Sequence, residues 1–475
     1  MSKKKTVTDI LYNGLYQVVI LVIPFLTQPY LYRVMNARTM GLNALINSIP
    51  SLLTVVILFG MNQFGVRIIA QSERDERLAS FAKLWLIQLI VGTVVIIGYV
   101  LWVVFVAKYK LYYFLEVPFL LGYVIDISWL YVGSGKIRDV VIRNTLIKLL
   151  IVCSVFLFVH SVGDLWKFLL INSVTYLANV IFWVSLPKLL GRFPHLTDFT
   201  WSPQYFQSAL TVLLPTLAAQ LYVTLDQTLV GSLAGPLQLS YYAYPQSLCR
   251  AVIAITGSVS TVLMPAMVTA GNHSDNSNRV IRIFKASLDY TLVVSVYLAV
   301  AFMVNAAKFT TWFWNAKGPT MGENMALGSL IIIFVSYGGV FANQYTLAQG
   351  LYRKYSIPYY IGAVVSLSLN PLAILHFGSL GATIVIVCTE FIVMTLRVFL
   401  LRNRVPVRQL FRGNWTTLVS GALALIVAYI IKIHFSSMFL DLVIQTVVLT
   451  VVYICGLVVF HNRVWEDCYR RIRTN

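Results

Sequence analysis

Fourteen stretches of about twenty apolar residues run through the chain, at 10–33, 42–63, 84–106, 111–132, 141–160, 166–186, 206–232, 240–270, 284–306, 325–349, 356–375, 380–400, 415–433 and 439–460. Each is long enough to cross about 30 Å of hydrocarbon as a helix, and 240–270 must tilt or overhang. Lipid offers the backbone no hydrogen-bond partner, so spans of this kind form helices that satisfy their own polar groups. The implied fold class is an all-α polytopic membrane protein. Of the 475 residues 59% are hydrophobic and 11% charged, against about 25% charged in a soluble domain.

A net charge of +19 would suggest nucleic acid in a soluble protein, and here its placement decides otherwise. With both termini cytoplasmic, 27 of the 36 Lys and Arg fall in inner loops or inner helix ends, eight fall outside, and Arg250 lies within a span. That bias in short loops is the positive-inside signature, so the basic charge sets topology and nucleic acid is excluded as a partner. Lys3, Lys4 and Lys5 enter a long span with no small-residue cleavage pattern, so the first span is expected to anchor. The five cysteines show no CxxC, the histidines no HExxH, and no P-loop or GxSxG elbow occurs. No catalytic residue, metal site or cofactor is expected.

The expensive residues inside the spans are the informative ones. Arg250 stands about ten residues into its span, near mid-depth, where an ionised group costs roughly 2.5–3.5 kcal/mol on insertion scales. Gln246, Gly257 and Thr261 share its face within roughly 60° of arc. Either Arg250 faces a solvated cavity, or it snorkels or pairs with a carboxylate to lock two helices. Asp226, in the preceding span, points away from the line of Gln220, Thr224, Gln227 and Thr228, so that helix should pack inside a bundle. The first span carries Asn13, Gln17, Pro24 and Gln28 on one stripe, with Arg33 following. The second carries Asn43, Asn47, Pro50 and Thr54. Such stripes line a cavity or hydrogen-bond between helices. Glu116, Asp126 and Lys148 lie toward span ends and read as interfacial. Asn370 and Glu390 lie within spans and, with Asp226, form an oxygen set suited to Na+ or a proton. The alternative for Glu390 is pairing with Arg397 or a neighbouring helix.

A breaker-rich loop, 187–205, divides the chain, and a weak repeat offset by about 199 relates the halves. The expected organisation is an N-lobe at 1–190 (six helices), a loop at 191–205, a C-lobe at 206–405 (six helices), and a helical hairpin with tail at 406–475. That hairpin, nearly without intramembrane polarity, could guide a lipid tail or merely pack.

Three stretches carry a family likeness: YLYRVMNARTMGLNAL (30–45), FGMNQFGVRIIAQSERDER (59–77) and LDQTLVGSLAGPLQLSYYAY (225–244). Through them the chain resembles the Wzx-type polysaccharide repeat-unit flippases, in the superfamily that holds multidrug and toxic-compound extruders and the lipid II flippase. It departs from the family where Val34, Met35 and Asn36 replace the usual Leu-Gly after the arginine. The resemblance implies roles for Arg33, Arg67, Asp226 and Tyr242, while Arg250 rests on burial. It implies an undecaprenyl-diphosphate-linked oligosaccharide as substrate, carried across a bacterial cytoplasmic membrane by alternating access. Arg250 with Arg33 or Arg67 would receive diphosphate, since guanidinium donates paired hydrogen bonds. Gln28, Asn47, Tyr242 and Gln246 would line the sugar path, and a cation at Asp226, Asn370 or Glu390 would bias the cycle. Membrane lipids, and a polysaccharide polymerase with export machinery, would be the partners.

The rival within the superfamily is a drug or cation antiporter, whose cavity favours acidic and aromatic groups, or the lipid II flippase itself. From other classes, a glycan polymerase or acyltransferase needs a large catalytic loop that the sequence lacks, and a scaffold needs no buried charge. The topology predicts that a fluorescent protein fused after Asn475 glows inside the cell and that alkaline phosphatase fused after Lys317 is active outside. The reverse pattern contradicts the charge argument.

Overall fold

Long apolar runs fold into long helices, and two of these break at an asparagine or glycine while carrying their prolines inside the helix. The computed structural model describes residues 3–271, 277–347, 349–431 and 437–466, with side chains apart from 3–21, 255, 258–271 and 277–279. Among the described residues there is no strand. Among those residues ten helical segments are long and apolar enough to cross a membrane, and Asn414–Ile430 is a shorter apolar helix. Two of the ten are double: Lys3–Leu58 contains a non-helical residue at Asn36, and Tyr352–Leu401 contains one at Gly378.

The break in the first helix falls at Asn36. Its φ of 61° and ψ of 166° lie where glycine is at ease and other residues pay strain of about 1–3 kcal/mol. Asparagine offers something in return, since its Oδ1 accepts the Thr39 N–H at 3.1 Å and caps the helix that resumes. At the repeat offset of 199 stands Gly235, also left-handed at φ 88°, between Pro203–Leu233 and Pro236–Gly271. One half thus turns on a strained asparagine and the other on glycine.

Contacts divide the chain into two compact units, 1–228 and 229–475. In the first, Phe81, Trp129, Tyr131, Phe182 and Leu186 form the core, with Tyr131 donating to the Phe182 carbonyl at 2.6 Å. In the second, Phe284, Leu288, Leu292 and Val296 of Ser277–Trp314 pack against Ala424, Ala428, Leu449 and Tyr453. The terminal helices Asn414–Ile430 and Met438–Val459 are therefore built into that unit on one face. They also carry more polarity than the sequence suggested: Tyr453 donates to the Val293 carbonyl at 2.8 Å, and Lys308 pairs with Asp441 at 3.1 Å. Their other face exposes Leu418, Ile426, Val447 and Val451.

The loop at 187–205 is clamped rather than loose. Arg192 meets Asp198 through Nη1 at 2.7 Å and Nη2 at 2.8 Å, and Asp198 also accepts the His195 N–H at 2.7 Å. The Arg192 bond first, and the His195 N–H second, hold the Asp198 carboxyl down at about 2. A depressed carboxyl contributes above its unfolded value, near 4, and loses the contribution as pH falls toward 2.

The strain and cap at Asn36 predict that Asn36→Ala lowers stability by about 1–2 kcal/mol while Asn36→Gly leaves it near wild type. Thermal unfolding in detergent reads the difference, and equal losses in both variants would contradict it.

Candidate functional site

In the first unit the described polar residues of the second and seventh spans include several that pair with one another. Asn47 donates to the Asn43 carbonyl at 3.0 Å and to Asn43 Oδ1 at 2.9 Å. Gln220 donates to Thr224 at 2.8 Å, and Thr228 meets Ser48 at 2.8 Å, tying the seventh span to the second. Asp226 is fully buried and Tyr222 nearly so, as two-sided polarity required. Gln28 is half-buried, three residues short of the fully packed turn at Leu31 and Tyr32. Arg33 and Arg67 are exposed, Arg33 just before the break at Asn36 and Arg67 on Val66–Gln71.

In the second unit two predicted residues meet. Arg250 Nη2 lies 3.5 Å from Glu390 Oε1, with the carboxylate side chain 3% exposed and the guanidinium 29%. The carboxylate is therefore fixed inside while part of the arginine still faces open space. Glu390 pairs with Arg250 and not with Arg397. Arg397 lies over the Tyr359 ring at 4.8 Å instead.

One turn before Arg250, Gln246 is 4% exposed, and neither its amide oxygen nor its nitrogen has a hydrogen-bond partner. Gly328 makes its place: a Cβ there would stand 2.6 Å from Gln246 Nε2. An unsatisfied buried amide costs about 1–3 kcal/mol, so it marks a position kept for something other than stability. Tyr242, a further turn back, is buried. From Gln238 on the same helix a polar chain crosses to two others: Ser379 donates to Gln238 at 2.6 Å, Asn324 to Ser379 at 3.0 Å, and Thr383 to Asn324 at 2.5 Å. Beyond Arg250, Thr256 meets Ser336 at 2.5 Å. Asn370 is fully buried and donates to Ser366 at 2.9 Å.

The structure thus brings Arg250 and Glu390 into direct contact and sets Gln246 and Tyr242 on the same helix as Arg250. Asn47 and Gln246 stand at equivalent positions, 199 residues apart. Asn13, Gln17 and Thr261 have side chains outside the described set, and Asn272, Lys432 and Cys468 lie outside it altogether. Sequence reasoning missed Gln344, fully buried with both amide atoms unpaired inside the π-helical stretch Val340–Leu347. A π-turn is a common mark of function, but no residue pattern announces it. Glu116 and Asp126, read as interfacial, are buried at 1% and 8%. Among the described residues no three His, Cys, Asp or Glu groups cluster as a metal site.

Removing one partner of a buried pair leaves the other charge uncompensated, whereas removing both does not. Arg250→Met and Glu390→Leu are each predicted to lower the melting temperature, with the double variant losing less than the sum by at least about 1 kcal/mol. Additive losses in thermal unfolding would mean the two groups do not interact.

Comparison with known proteins follows this geometry. Residues 6–270, more than half of the chain, match the family described as polysaccharide biosynthesis protein. A protein of Shigella dysenteriae named "Putative O-antigen transporter" is 20% identical over 376 residues, 78% of this chain and 93% of its own. The fold is that of a lipid II flippase, MurJ, in an inward closed conformation (TM-score 0.76, 13% identity, 98% of this chain and all of that one). It is also that of an inward-facing multidrug resistance MATE transporter of the MOP superfamily (TM-score 0.63, 14% identity, 82% of this chain and 98% of that one).

Proposed function

Because the chain belongs to the polysaccharide biosynthesis protein family, we propose that it is a flippase for a lipid-linked oligosaccharide, a transporter and not an enzyme. The observation that carries this reading is Arg250, a guanidinium at mid-helix, bound to a buried carboxylate yet 29% exposed. A diphosphate-linked sugar has an anionic head that must cross hydrocarbon and a prenyl tail that can remain in it. The head needs a cation able to exchange partners, and guanidinium forks donate to phosphate as readily as to carboxylate.

Loading would transfer Arg250 from Glu390 toward the phosphate, and the freed carboxylate would take a proton or Na+. Substrate and coupling ion would then be linked through one shared partner. This accounts for the carboxylate's burial: an acid at 3% exposure is poorly hydrated and favours whichever cation stands beside it. Asp226, fully buried in its own helix, is the second candidate for the coupling cation. Arg67, exposed at the inner end of the second span, is suited to first capture of the phosphate, and Arg33, exposed at the outer end of the first, to holding it before release. Gln28, Asn47, Tyr242 and Gln246 offer the donors and acceptors that sugars require. The substrate is proposed to be undecaprenyl-diphosphate-linked, the membrane a bacterial inner membrane with both termini cytoplasmic, and the downstream partners a polymerase and export machinery. The competing reading, a drug or cation antiporter, fits a cationic exchange group poorly.

Reconstituted Arg250→Ala is predicted to flip a lipid-linked oligosaccharide at least about tenfold more slowly than wild type at equal incorporation, while Arg250→Lys retains part of the rate. Transport by Arg250→Ala at the wild-type rate removes the assignment.

A further inference from the structure

The first unit contains a cavity that the flippase reading does not use. It measures about 330 Å³ and is lined by Tyr123, Asp126, Arg143, Lys148, Tyr176 and Asn179, among others. Sites for small molecules occupy roughly 300–1,000 Å³. Tyr123 and Asp126 come from the 110–133 segment, Arg143 and Lys148 from Ile137–Phe158, and Tyr176 and Asn179 from the tight turn Tyr176–Val180.

The charges in this cavity do not cancel. Asp126 accepts from Ser128 N at 2.9 Å and Ser128 Oγ at 3.1 Å, and Arg143 approaches it at 3.9 Å. The Arg143 guanidinium also lies 4.3 Å over the Phe182 ring. Those two groups neutralise each other and are held in place. Lys148 remains, half-buried midway along its helix, with no hydrogen bond or ion pair among the described residues. An ammonium at that depth requires a counter-charge or water. Across the cavity Asn179, 2% exposed, donates through Nδ2 to the Gly122 carbonyl at 2.8 Å, while its Oδ1 has no donor. The walls between include the stacked rings of Tyr123 and Tyr176, 5.5 Å apart at 23°.

An unpaired cation and an unpaired acceptor lining one open cavity specify a ligand that carries both an anion and a donor. We propose that this cavity binds a phosphate ester bearing hydroxyl groups, with the phosphate on Lys148 and a hydroxyl donating to Asn179 Oδ1. The net positive charge of the cavity suits a phosphodiester or one phosphate of a diphosphate. Two molecules present that chemistry to a membrane protein: a hydroxylated phospholipid headgroup, and the sugar-phosphate head of the cargo. In the second case the inference rests on the flippase reading and adds a docking step to it.

The full chain in phosphatidylcholine nanodiscs, titrated by native mass spectrometry, separates these. One arm adds phosphatidylglycerol and the other polyprenyl-diphosphate-linked N-acetylglucosamine. Lys148→Met and Lys148→Gln are predicted to bind at least one probe about tenfold more weakly than wild type, and Lys148→Arg to restore binding. Loss in the first arm assigns the cavity to membrane lipid, and loss in the second to the cargo head. Wild-type affinity of both uncharged variants for both probes overturns the proposal. Flipping is measured separately, so a chain that binds through Lys148 but moves no glycan sinks the transport reading and leaves the cavity standing.

Discussion

Hydrocarbon solvates no polar group, and every feature of this chain that matters for function is a place where that rule is met with difficulty. The backbone meets it by forming helices, with turns at residues such as Asn36, Gly235 and Gly378. Most polar side chains meet it locally, as Asn47 does by bonding back to Asn43. Arg250 and Glu390 meet it together, and Gln246 does not meet it at all. The ordering is informative: groups that satisfy themselves hold helices together, and groups that depend on a remote partner are free to exchange it.

The Arg250–Glu390 contact is consequently better read as a held exchange position than as a structural rivet. Its 3.5 Å separation is longer than an optimal charge-assisted bond of about 2.7–2.9 Å, and the arginine keeps part of its surface open. Ion pairs of this type contribute little net stability, since desolvation offsets attraction. Two apolar residues would serve stability as well, so stability alone does not account for the pair.

Much of this was legible in the sequence. Span lengths and the Lys and Arg bias pointed to an all-helical membrane chain because both follow from single-residue transfer energies. Arg250, Glu390, Asn370 and Asp226 stood out for the same reason. Their pairing did not, since residues 140 apart in sequence meet only through tertiary packing. The strain at Asn36 was not visible in the sequence, because a single residue's φ angle leaves no residue pattern. Lys148 and Asp126 looked interfacial because position along a span was the one coordinate available. Whether such a group faces lipid, water or a cavity depends on neighbouring helices, which a linear sequence does not order.

The account turns on the chain moving a lipid-linked glycan out of the cytoplasmic leaflet. The most direct test is to deplete it from cells and follow leaflet-resolved labelling of that lipid. Accumulation of the complete glycan lipid on the cytoplasmic side, relieved by wild-type chain, is the predicted result. An unchanged distribution between leaflets under full depletion would contradict the account.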